Sequence, residues 1–160
     1  IRMIIFFGVL AFLIGYPVYL YVDSAVHGGI KTSGSYVEVD LKSMGNFNFD
    51  GDNGTIDDVP MRWRELNGKK VLLQGEVWAP NEAGDSMHQF ELVYSIAKCC
   101  FGGPPRVQER VFAIVPNGMT VPNMTNSFAK VTGTMHVKVK KEGGKVTAVY
   151  VMDVDKVEPM

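Results

Sequence analysis

Cys99 and Cys100 are the only cysteines of the chain and stand side by side ahead of Phe101-Gly-Gly-Pro-Pro105. Thiolates are nucleophiles and soft metal ligands, so the pair could do redox or metal chemistry. A disulfide between neighbours closes a strained ring, because adjacent Cα atoms about 3.8 Å apart fall short of the usual span. Such a bond is easily reduced, which suits a redox sensor. Two thiolates with His88 or His136 as a third ligand could instead hold zinc or copper. The plainer alternative places one cysteine in the core and the other beneath the Pro-Pro loop, and no Cys-x-x-Cys spacing argues against it.

A second candidate is the acidic stretch 50–58, where Asp50, Asp52 and Asp58 offer oxygen ligands among turn-forming glycines, the raw material of a calcium loop. Counted from Asp50, Thr55 stands where the helix–loop–helix calcium pattern needs Gly, and Met61 where it needs Glu. Asp-Gly and Asn-Gly turns account for the same residues. A metal ion is thus the one conceivable cofactor. No Gly-x-Ser-x-Gly, His-Glu-x-x-His or phosphate-cradling Gly-rich loop is present, and the reading is non-catalytic. Trp63 and Trp78 are candidate stacking surfaces for a saccharide. With 16 basic against 17 acidic residues and a net charge of −1, the chain lacks the basic bias that nucleic-acid binding requires.

The elements that would position these groups start with an uncharged run of 20 residues, 3–22. As a helix it would rise about 30 Å, the thickness of a hydrocarbon core, and it is longer than a signal-peptide core. Arg2 before it predicts a cytoplasmic N-terminus, and Tyr16, Tyr19 and Tyr21 would anchor its far end at the interface. Gly8, Ala11 and Gly15 form a small-residue stripe suited to packing against another helix. The expected organisation is an anchor over 1–22, a Gly-rich flexible linker over 23–35, an extended arm with the acidic turn over 36–56, and a β domain over 57–160.

Within that domain, 57–68 reads as a short helical turn stopped by Gly68. Alternation then predicts strands over 70–79, 89–94, 110–115, 129–139 and 145–152, with a bulge or sharp coil at Gly75 and a hairpin through Gly143 and Gly144. Five strands without crossover helices predict a mainly β fold, a small barrel of the oligonucleotide/oligosaccharide-binding (OB) type, with a β-sandwich as the alternative.

Leu66-Asn-Gly-Lys-Lys-Val-Leu-Leu-Gln-Gly-Glu-Val77, Phe90-Glu-Leu-Val-Tyr94 and Cys99-Cys-Phe-Gly-Gly-Pro-Pro-Arg-Val-Gln-Glu-Arg-Val111 resemble an uncharacterised family of bacterial exported or membrane-anchored OB-like domains. The resemblance covers roughly residues 57–157. It implies a barrel outside the cytoplasm and no particular activity. Together these readings predict a single-pass protein of the bacterial inner membrane with a periplasmic C-terminal domain. Its expected role is that of an accessory subunit stabilising a membrane complex, photosynthetic or respiratory, with other membrane subunits and the bilayer as partners. Loops 101–105 and 116–126 are its candidate docking elements. The alternative is a periplasmic metal-binding or redox domain attached to a transport system through Cys99 and Cys100.

Overall fold

The computed structural model describes residues 8–9, 11–19, 28–96 and 103–160. The chain divides into two units, residues 1–30 and 31–160. In the first, residues 8–9 and 11–19 are helical, and Phe12, Leu13, Ile14, Tyr16 and Tyr19 are all more than half exposed. Phe12 and Tyr16, one turn apart, stack with ring centroids 5.5 Å apart.

The expected transmembrane helix is corrected here: among the described residues, no helix is long and apolar enough to cross a membrane. An uncharged run satisfies hydropathy without fixing how many of its residues share one helix. The single-pass, inner-membrane and photosynthetic-complex assignments depended on that helix and are withdrawn with it.

The second unit is dominated by strands. Inside the stretch read as linker, β1 (Ile30–Ser33) turns at Gly34 into β2 (Tyr36–Val39), which runs parallel to the first barrel strand with Val37 opposite Val71. Asp40 then caps α1 (Leu41–Met44) by accepting the backbone N–H groups of Lys42 and Ser43, each at 3.2 Å. Phe47 and Phe49, in the stretch read as an extended arm, meet edge to face at 6.1 Å in an irregular segment. A 3-10 turn (Ile56–Asp58) leads into α2 (Met61–Arg64), and Gly68 ends this stretch with φ of 78°, as a helix-stopping glycine should.

Five strands carry the barrel: β3 (Lys70–Trp78), β5 (Gln89–Val93), β6 (Arg110–Ile114), β8 (Phe128–Glu142) and β9 (Lys145–Pro159). Two two-residue strands, β4 (Ser86–Met87) and β7 (Val121–Pro122), pair with each other beside it. The circuit runs β3–β5–β6–β9–β8 and returns to β3; the β6–β9 pair is parallel and the other four are antiparallel. That order, with the third and fifth strands parallel, is the connectivity of an OB-type Greek-key barrel.

A period of two sends Val71, Leu73 and Val77 inward from β3 to meet Phe90, Leu92, Val111, Met135 and Met152, all at most 2% exposed. Gly75 is where β3 leaves its pairing with β8 alone and begins to pair with β5; a Cβ there would lie 2.5 Å from the Val93 carbonyl oxygen. The strand can bend into both pairings only because that side chain is missing. At the same end, the Tyr150 hydroxyl donates to the Met44 carbonyl at 3.4 Å, and burial pushes its phenol well above the ordinary 10.0.

Candidate functional site

The strand register brings together residues far apart in sequence. Trp78 on β3 stands opposite Glu91 on β5, and Glu91 stands opposite Phe112 on β6. Their neighbours Val77, Phe90, Leu92, Val111 and Ala113 point inward, so alternation turns Trp78, Glu91, Phe112 and Arg110 outward on one face. Arg110 Nη1 donates to both oxygens of Glu91, each at 3.2 Å, and the two side chains are about one quarter exposed, at 27% and 20%. One nitrogen serves both oxygens, and the buried Nε of Arg110 has no partner. A fork-to-fork pairing would have used two nitrogens.

These residues line a cleft of about 260 Å³ whose wall is the segment 79–82, with Gln89 beside it. The segment that follows this wall is pinned from outside, and Asn123 Nδ2 also donates to the Glu82 carbonyl at 3.4 Å. Pairing of β4 with β7 ties residues 86–87 to 121–122, while Asn123 Nδ2 donates to the Gly84 carbonyl at 3.1 Å and Asn123 N to that of Asp85 at 2.9 Å. A cleft held open by its own hydrogen bonds costs a ligand little ordering entropy.

A second cleft, about 210 Å³, lies between α1 and residues 103–106, with Leu41, Val93 and Pro104 among its apolar lining. The Lys42 ammonium there sits 5.6 Å from the centre of the Tyr94 ring, within cation–π range.

Among the described residues the metal candidates are not brought together. Cys99 and Cys100 lie outside the described residues, as does Tyr21. His136, on β8, stands opposite Val151, and its Nε2 is 2.8 Å from an Asp153 carboxylate oxygen; His88 precedes β5, which is not a neighbour of β8 in the circuit. Among the described residues no group of three or more His, Cys, Asp or Glu side chains is placed to hold a metal. Gly8, Ala11 and Gly15 sit on the exposed helical residues, with open space where a Cβ on either glycine would project.

In the acidic loop, the Asp50 carboxylate accepts the backbone N–H groups of Asp52 at 2.8 Å and Asn53 at 3.0 Å, while that of Asp58 accepts the Thr55 N–H at 2.8 Å and its hydroxyl at 2.9 Å. Asp52 is exposed. The carboxylates shape their own turns. The Asn53 and Asp52 N–H groups hold Asp50, and the Thr55 N–H and hydroxyl hold Asp58, below the ordinary 3.8. A depressed folded-state value means the stability these groups lend is complete above pH 3.8 and is lost as pH falls through the lowered values. The amide proton resonances of Asn53 and Thr55 are therefore expected to shift with midpoints below pH 3.8 in an NMR titration. A midpoint above pH 3.8 would contradict the arrangement.

Trp63, a sequence candidate for stacking, is fully buried, whereas Trp78 is half-buried and borders the first cleft. Glu91, Arg110 and Phe112 went unnoticed in the sequence. Their alternation with buried neighbours gave their outward direction, but only the register shows that they adjoin Trp78.

No protein-family model matches the sequence, and no curated protein matches it. Among solved structures, the fold is similar to a crystal structure of a DUF3299 family protein from Pseudomonas aeruginosa PAO1, at a TM-score of 0.55 and 18% identity over 79% of this chain and 97% of that one. At that identity the likeness concerns the fold alone.

Proposed function

We propose that this chain is a non-catalytic binding domain that takes an elongated ligand across the outer face of β3, β5 and β6. The observation that carries this reading is the row Trp78–Glu91–Phe112, two aromatic side chains flanking a charged pair in a pinned cleft. Ligand sites combine apolar area with a few fixed polar groups in this way. The reading leaves the chain an accessory role, since recognition rather than turnover is what the face is built for.

The chain's two tryptophans make a direct test possible. Trp63 is fully buried, so ligand-induced changes in emission report Trp78. The protein is to be titrated with a panel of oligosaccharides, single-stranded oligonucleotides and extended peptides. At least one class is expected to shift the emission, with binding weakened about tenfold, or 1.4 kcal/mol, by Phe112→Ala. If no member of the panel binds, or if Phe112→Ala leaves every affinity unchanged, the reading fails.

A further inference from the structure

We infer that the ligand class for this face is a β-linked glycan, an inference that rests on reading the face as a binding site. Three observations select it. Charge is the first. The cleft is lined by two carboxylates, Glu82 and Glu91, and one guanidinium, Arg110, which is already engaged by Glu91. A phosphodiester backbone needs a basic track beside its stacking platforms, and this lining repels one.

The second is edge closure. A peptide that binds by adding a strand needs an open row of backbone groups. Here β5 is paired on one side by β3 and on the other by β6, and β6 is paired in turn by β9. No such row is open along the cleft floor.

The third is the spacing and chemistry of the side chains. Trp78 and Phe112 are separated by two strand intervals, about 10 Å. A pyranose ring presents a face of C–H groups that lies on the electron-rich face of an aromatic ring. Its rim of hydroxyls both donates and accepts, matching the planar polar groups of Asn81, Gln89, Glu91 and Arg110. In a β-linked chain alternate sugars turn over, so every second ring shows the same face. Trp78 and Phe112 then hold alternate sugars, and the one between lies over Glu91 and Arg110.

The test uses the full chain with chitohexaose, cellohexaose, chitobiose, an oligodeoxythymidine and an extended peptide as probes, read by calorimetry. A hexasaccharide is expected to bind at least about tenfold more tightly than the disaccharide, because only the longer chain spans both rings. Phe112→Ala should lower hexasaccharide affinity to the disaccharide level while leaving the disaccharide, held on Trp78, unaffected. Affinity should be insensitive to added salt. If the oligonucleotide or the peptide binds the face and neither glycan does, the ligand class is overturned and the binding face stands. If none of the five binds, both readings fall.

Discussion

Trp63→Ala is expected to lower the free energy of unfolding by about 3–5 kcal/mol, measured by equilibrium urea denaturation. The side chain is completely buried on α2, its backbone N–H donates to the Pro60 carbonyl at 2.9 Å, and the Arg62 guanidinium lies 4.7 Å from its ring centre. Leu66, in the turn that follows the helix, is 1% exposed and is buried along with Trp63. The indole Nε1 is buried without a hydrogen-bond partner. Trp63→Phe should therefore cost much less, since it keeps most of the packed volume and removes an unsatisfied donor. If Trp63→Ala unfolds within about 1 kcal/mol of the wild type, the burial described for this ring is wrong.

Gly75→Ala is expected to destabilise by about 2–3 kcal/mol. The added methyl would approach the Val93 carbonyl oxygen to 2.5 Å and Leu41 Cδ1 to 2.7 Å. Leu41 can give way by changing rotamer, but the carbonyl belongs to β5 and cannot move without loosening the β3–β5 junction. Gly51→Ala is the matched control: nothing lies within 4 Å of its built Cβ, so it should stay within about 0.5 kcal/mol of the wild type. A thermal melt of both variants decides the matter. Equal melting temperatures would remove Gly75 as the bend that lets β3 serve two neighbours.

The strands were legible because burial on one side leaves a period of two. Residues 70–79 and 110–115 read as strands and fold as Lys70–Trp78 and Arg110–Ile114. The hairpin through Gly143 and Gly144 was equally plain, both residues taking positive φ. What alternation could not supply was registry. Nothing local says that β9 inserts between β6 and β8, or that Trp78, Glu91 and Phe112 share one row. The two tryptophans also looked equivalent, although Leu66 at helical spacing from Trp63 marked a packed face, and Val77 beside Trp78 marked an outward one. Hydropathy misled most at the N-terminal run, since no helix among the described residues is long and apolar enough to cross a membrane.

Order of assembly follows from the closed circuit. The pairs that complete it, β3 with β8 and β6 with β9, join segments separated by dozens of residues, while β3–β5, β5–β6 and β8–β9 join barrel strands that follow one another in the chain. Closing such long loops taxes chain entropy before any contact rewards it, so refolding belongs on the order of milliseconds to seconds rather than microseconds. The β8–β9 ribbon, with its tight glycine turn, is the natural nucleus, while the aromatic row takes its register from the separate β3–β5 and β5–β6 pairs.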